Sequence, residues 1–596
     1  MESPPPGSAY GEPQRVVHRL NASEIARIEH VREMRRNNEN VSTFRAKGLS
    51  WFSVFCVIAN RMIGTGIFAT PDTLMQDTKS IGASMLFWLA GAVIALAGTM
   101  VYAEFGLAIP RLNEESIPRN GGEKNYIEYI YSKQSIVAPN SKRDSTPETL
   151  QRSQLFATCL YGIPFICLGS MAGNAISFGL NITIACGVDA PSNGAVRAIA
   201  VGVATFACSL HIVSRWWGIA LNNFFGSVKT AILLMLIIVG IVSFAGALPQ
   251  KTKPTAEDNF GKYGGFGLAQ TSSYGYASSF LSVIFAYGGF NQANYVLGNI
   301  YRPRRRFKAT VLATVASISF LYICLNLCYY GVVPYQDQTK KDSSIATDFF
   351  ARTVASQHGK QIVAAFMSFS SLGNIIIQTF TAARVKQELA KEGILPYSKF
   401  FARNRSWRWA FWRSAIRHDY ESPEATPVGA LLLHWVFSMI LILGTFSLNP
   451  TAAYKTLVGI YSFTIDAVFG FLVGFGLLLL RIFEGKSHWS RISRETRWLS
   501  IICATIFTVG NLYPICAIWF SPGKSGGTSL EVSFWIIGTI GLSTLAAGFL
   551  YWIGIKYVAP WILERDLKVE RVLNTGNEGG ETVVINEIVS ICWEDR

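Results

Sequence analysis

Residues 51–73 read WFSVFCVIANRMIGTGIFATPDT. The run is apolar over the length of about 20 residues that a helix needs to cross a bilayer. Its centre, Ile63-Gly64-Thr65-Gly66-Ile67, makes a poor continuous helix, and Pro71 follows one turn later. Glycine in a helix interior costs about 1 kcal/mol against alanine. In lipid, an unwound turn persists only where protein or a wet cavity satisfies its freed N–H and C=O groups. A span broken there points to a polar ligand site, with a half-helix N-terminus offering donors to an anion. Close packing of two spans on a Gly-x-Gly face is the competing reading, and this stretch alone does not choose between them.

The whole chain has 596 residues, 50% hydrophobic and 15% charged, where soluble domains carry about 25% charged residues. Repeated apolar runs of span length predict an all-α polytopic membrane protein. Residues 1–50 are long, polar and arginine-rich, unlike a cleavable signal with its short apolar core. The excess of 53 basic over 38 acidic residues reads as loop charge that sets topology, not as nucleic-acid binding. Most cysteines (Cys56, Cys159, Cys167, Cys208, Cys324, Cys328) lie singly in apolar runs, without metal or disulfide spacing. They read as packing residues, and no cofactor or metal is expected. No HExxH, nucleophile elbow or phosphate loop is present, so an enzyme is not expected.

A polar tail at residues 1–48 has room for a short charged helix over 21–39 in a largely disordered segment. Twelve spans then follow, near 51–73, 84–110, 155–186, 195–213, 218–247, 272–300, 309–333, 346–389, 428–446, 454–481, 498–520 and 530–558. The polar tail 559–596 closes the chain. Basic residues Arg15, Arg19, Arg27, Arg32, Arg35, Arg36, Arg45 and Lys47 precede the first span and put the N-terminus in the cytoplasm. Twelve spans then return the C-terminus to the same side. The basic clusters at 111–153, 302–308, 391–426 and 481–497 all fall in loops this count places inside.

Span six contains a second break, Phe285-Ala286-Tyr287-Gly288-Gly289-Phe290-Asn291. Gly64 and Gly288 each fall in the first span of a five-span block, 49–247 and 272–481, and the blocks start on opposite sides. Residues 498–558 supply spans eleven and twelve. Interrupted spans at matching positions of inverted repeats are the best sequence pointer to a transport site. Two breaks in register favour transport over packing.

Three motifs carry a family resemblance: Asn60-Arg61-Met62-Ile63-Gly64-Thr65-Gly66-Ile67-Phe68, Arg119-Asn120-Gly121-Gly122-Glu123, and Phe285-Ala286-Tyr287-Gly288-Gly289. Over about 51–558 the chain resembles the amino acid–polyamine–organocation superfamily, within it the L-type amino acid transporters, and most closely the fungal methionine permeases. The resemblance implies a LeuT-like fold of 5+5 inverted repeats and a plasma-membrane carrier working by alternating access. Ile63, Gly64, Thr65, Gly66 and Ile67 would hold the substrate carboxylate, which agrees with the preference of a helix N-terminus for anions. Carbonyls at 60–63 and at Phe285, Ala286 and Tyr287, beside Gly288, would take the ammonium. Phe285 would be a lid and Asn291 an orienting side chain.

Small or polar residues of spans three (Gly169, Ser170, Gly173, Asn174) and eight (Ser368, Ser370, Ser371, Asn374) would line the side-chain pocket. No acidic residue lies near either break in sequence, so a neutral substrate such as methionine or leucine is expected. Lys229 lies eleven residues into span five, roughly 16 Å deep at about 1.5 Å per residue. A lysine at that depth is costly and functional by default. By resemblance it stands where sodium-coupled relatives hold a structural sodium, which implies sodium independence. It would carry the coupled proton or act as a fixed cation.

Glu104 matches a family acidic position, a gate or relay or else a structural pair, and Arg61 would serve an inner gate. Asp466 and His434 are intramembrane ionisable residues without an assigned role. Gly298 and Asn299 replace an acidic pair of the animal carriers, so an inner-gate salt bridge does not carry over. Cys186 lies where those carriers bond a heavy chain, but its surroundings differ, and no heavy-chain partner is expected. Amino acid, protons and the bilayer are the expected partners, with Lys47 and Lys568 offered to ubiquitin-ligase machinery. Rival readings are an amino acid exchanger and a transporter-like nutrient sensor.

Overall fold

The computed structural model describes residues 40–595 apart from 45–47, 110, 113–114, 132–146, 246–252, 270–272, 341–343, 354–357, 406–425, 484–487, 521–532, 534 and 579. The helix expected over 21–39, Lys47, and loop residues Lys142, Arg143, Arg408, Arg413 and Arg417 lie outside the described residues.

Among the described residues, ten helices are long and apolar enough to cross a membrane. They stand at the places of spans one (Trp51–Thr78), two (Ile81–Ala108), three (Leu155–Ala185), four (Asn193–Val213) and five (Arg215–Phe244). The others match spans seven (Pro303–Val332), eight (Gly359–Lys391), ten (Pro450–Ile482), eleven (Arg497–Ala517) and twelve (Trp535–Leu563). Shorter apolar helices, Gly275–Tyr287 and Val428–Gly444, occupy the places of spans six and nine. Large apolar side chains such as Leu89, Ile238, Phe320 and Leu550 point outward from these helices, the arrangement hydrocarbon requires and water disfavours.

The first span divides where its glycines predict, into helices Trp51–Met62 and Gly66–Thr78. The sixth divides after Tyr287 and continues only as two short turns, Gln292–Tyr295 and Leu297–Asn299. Three features depart from the sequence reading. Span eight begins at Gly359, with a separate helix Ile345–Thr353 before it. Span three is itself interrupted, between Leu168 and Ala172. Span ten passes through a π-helical stretch, Ser462–Val468, a local widening that often marks functional positions.

The segment read as a plain polar tail folds. Strands Arg565–Glu578 and Glu581–Asp595 form an antiparallel hairpin, and strand Asn40–Phe44 completes a three-stranded sheet beside its second strand. The run Glu581-Thr-Val-Val-Ile-Asn-Glu-Ile-Val-Ser-Ile-Cys-Trp593 is rich in β-branched residues and follows a glycine turn, which is the local signal for it.

Candidate substrate site

The two breaks touch. A methyl group on Gly66 would stand 2.8 Å from Ala286 Cα, so only hydrogen fits between the backbones there. Gly289 sits at φ +114° with the stem of Arg61 against it, 2.5 Å from where a Cβ would lie. That backbone conformation favours glycine.

The first half-helix ends in carbonyls that protein side chains already cap. Lys229 Nζ donates to Asn60 O at 2.8 Å, Tyr322 Oη to Met62 O at 2.5 Å, and Ser370 Oγ to Ile63 O at 2.8 Å. Each carbonyl keeps a second lone pair, but three of the four ammonium acceptors expected at 60–63 are partly committed. The second half-helix opens at Gly66, and its first-turn N–H groups, including that of Ile67, have no partner four residues back within it. Thr65 Oγ1 hydrogen-bonds the Tyr454 hydroxyl of span ten. Gly64 faces the Asn374 amide, 2.6 Å from where its Cβ would lie.

Lys229 is 1% exposed. It is held by a neutral backbone oxygen, that of Asn60. Glycine 373 makes room for it, since a Cβ there would meet Lys229 Nζ at 2.9 Å and Asn60 Oδ1 at 2.3 Å. The lysine thus ties span five to the end of the first half-helix.

Phe285 is buried near the end of the first half of span six, and the Arg61 guanidinium stands 5.8 Å from its ring centre. The same guanidinium lies 5.7 Å from the Tyr461 ring. Arg61 therefore reaches into the gap between spans six and ten. Tyr287 donates to Trp88 O at 3.0 Å and lines the small cavity beside Gly288. Asn291 donates to Glu123 Oε1 at 2.7 Å, and Tyr295 and Tyr161 complete the ring of donors on that carboxylate.

The expectation that no acid stands near either break holds in sequence and fails in space. The π-helical stretch of span ten brings Asp466 Oδ2 to 3.6 Å from where a Cβ on Gly288 would lie. Asp466 also lines a small cavity with Gly288, Asn291, Tyr102 and Asn511. Meanwhile several residues expected to line a pocket are engaged by neighbouring side chains. Asn174 donates to Gln378, Gln378 donates to Ser170 O, and Ser371 pairs with Ser177. Ser368 bonds back to Ala364 O within its own helix. His434 stands 3.3 Å from Lys386 Nζ.

Glu104 takes a structural partner. Arg481 Nη2 lies 2.7 Å from its Oε1, and Trp489, Ser493 and Ser500 also donate to it. These bonds satisfy both carboxylate oxygens far from the breaks in sequence.

At the face carrying the tails, the hairpin is held by ion pairs. Arg571 reaches Glu392 at 2.6 Å and Glu587 at 3.2 Å. Lys391 joins Glu388 at 2.8 Å and Glu587 at 2.7 Å, and Arg119 also pairs with Glu587. Burial alone would raise the Glu392 carboxyl, but Arg571 and Lys124 override it and hold it down at about 2. Arg119, from the second of the three sequence motifs, was legible as a residue; its tail partners were not.

A family description of amino acid permeases matches residues 49–542. The high-affinity methionine permease of Saccharomyces cerevisiae is 29% identical over 86% of this chain and 79% of its own length. The low-affinity methionine permease of the same yeast is 23% identical over 86% of this chain and 83% of its own. The b(0,+)-type amino acid transporter 1 of Homo sapiens is 24% identical over 60% and 66%, respectively. These are carriers rather than enzymes. With its paired breaks in apolar spans and a match over most of its length, the chain belongs to the amino acid permease family.

Proposed function

We propose that the chain is a plasma-membrane carrier of neutral L-amino acids, methionine among them, and that it is sodium-independent and proton-coupled. The observation that carries this reading is the meeting of the two broken spans at Gly66 and Ala286, beside the buried cation Lys229. The N–H groups of Gly66 and Ile67 at the start of the second half-helix suit a carboxylate, while those of Phe68 and Ala69 bond Thr65 O. The acid brought near by Asp466 is balanced by the guanidinium of Arg61, so the site as a whole still favours a zwitterion with an uncharged side chain. Lys229 on the Asn60 carbonyl puts a fixed positive charge where a sodium ion would otherwise be needed.

Under this reading the first ten of twelve spans form two five-span inverted repeats, 49–247 and 272–481, that alternate access around the breaks, and both tails are cytoplasmic. The carrier acts without a heavy chain, and exposed Cys186 stays a free thiol. The test is uptake of labelled methionine into proteoliposomes of the purified chain, with and without an inward proton gradient, in sodium and in potassium. Gradient-driven accumulation equal in both salts is expected. Uptake only into vesicles preloaded with amino acid would make it an exchanger, and binding without uptake would make it a sensor.

A further inference from the structure

Two buried ionisable groups compete for the role of proton carrier in the reading just given, on which this inference rests. A carrier group has to meet water, and its charge has to matter to a part that moves. Lys229 meets neither condition well. It is 1% exposed, and its nitrogen is fixed to the Asn60 carbonyl at 2.8 Å. Deprotonated, the amine would still donate to the same oxygen, so a change in its charge releases no partner.

Asp466 is placed differently. It lies on the π-helical stretch of span ten and lines the cavity beside the second break, with Gly288, Asn291, Tyr102 and Asn511. Its Oδ2 atom is buried and makes no hydrogen bond. The charged and titratable groups that face it are Arg61 of span one, Glu123 of the helix Glu123–Tyr131, and the phenols of Tyr102 in span two and Tyr461 in span ten. Span eleven brings the Phe507 ring and the Asn511 amide to the cavity, neither of them titratable. Glu123 is already saturated by Asn291, Tyr295 and Tyr161. Arg61 is not: its Nε is buried without a hydrogen bond, and its guanidinium rests on the Phe285 and Tyr461 rings.

We propose that Asp466, rather than Lys229, takes up the coupled proton, and that its charge positions Arg61 between spans one, six and ten. Ionised, Asp466 holds the Arg61 guanidinium toward span ten. A proton entering from the cavity onto Oδ2 makes a neutral acid and frees Arg61 to stay on the Phe285 ring. The same proton leaves to water when the site opens to the other side, so no further reactant is needed. Asp466 is in this sense a positioning residue for the gate, and Lys229 is a fixed cation.

The experiment uses the full chain in proteoliposomes and labelled methionine, comparing wild type with Asp466→Asn and Asp466→Glu. Two readouts are taken: uphill accumulation under an inward proton gradient, and counterflow exchange with methionine on both sides and no gradient. In Asp466→Asn, accumulation is expected to fall to simple equilibration while counterflow persists. In Asp466→Glu, accumulation returns with a displaced pH profile. Accumulation in Asp466→Asn that still follows the imposed gradient overturns the proposal. So does loss of counterflow in Asp466→Asn with no rescue by Asp466→Glu, the signature of a merely structural carboxylate. A wild type that exchanges methionine but never accumulates it would overturn the coupling reading itself, before any variant is compared.

Discussion

At the tail face, Arg571, Lys391 and Arg119 each reach carboxylates, and Glu587 and Glu388 each pair with all three. At the breaks, Lys229 rests on a backbone carbonyl, Arg61 on two aromatic rings, and Asp466 Oδ2 on no hydrogen-bond donor. Both regions bury charge, yet only the first ties it into direct salt bridges, while Asp466 and Arg61 attract each other without one among the described residues. Paired charges cross-link: removing one leaves the other stranded, at a cost of about 3–5 kcal/mol when buried. Charges held by neutral groups are able to change partners, which a carrier needs where its substrate and proton pass. The tail hairpin therefore reads as a fastening and the breaks as the working part.

The contrast sharpens most at Lys229. Lys229→Ala is expected to cut methionine uptake about 10- to 100-fold, the size of a lost charged hydrogen bond of about 1.5–3 kcal/mol. Initial rates in proteoliposomes check it, and an unaffected rate would mean that the Asn60 carbonyl needs no cap. Arg571→Ala should act on the other region alone. Proteolytic clipping of the hairpin should quicken about 10-fold, because charged bonds to Glu392 and Glu587 are lost. Uptake that collapsed instead would move the hairpin into the working part.

Tyr454→Phe removes the hydroxyl that bonds Thr65. A net hydrogen bond of about 0.5–1.5 kcal/mol predicts a rise in KM of about 2- to 10-fold, read from concentration-dependent uptake. The smallest effect concerns pH. Glu392 is held at about 2, below the ordinary glutamate value of about 4.3. A depressed carboxyl contributes its stability fully above the ordinary value and loses it as pH falls through the lowered one. Energy transfer between dyes on the hairpin and span eight should thus stay constant from about pH 8 to 5, and decline only below about 4.

The breaks were legible because glycine interrupts an apolar run, and Lys229 because a cation stands out in one. What those groups touch was not. Along a membrane helix the lipid face and the core face are both apolar, so hydropathy does not say which way Tyr322, Ser370 or Tyr454 points. The interruption of span three at residues 169–171 and the π-helical stretch around Asp466 depend on packing that no local pattern records. Asp466 lies far from both breaks in the chain, and only the fold brings it to Gly288. The tail hairpin did carry a local signal in its β-branched run, but its charged surface looked like an ordinary solvated tail.

The most direct test compares two glycines. Gly66 has Ala286 backbone 2.8 Å from where a methyl would sit, and Gly202 of span four has nothing within 4 Å. If the touching breaks form the transport site, Gly66→Ala should lower methionine uptake by at least about 10-fold, roughly the 1.4 kcal/mol or more that overpacking typically costs. Gly202→Ala should leave uptake nearly unchanged, with both proteins reconstituted at equal amounts. Normal uptake by Gly66→Ala would contradict a site built where the two spans break.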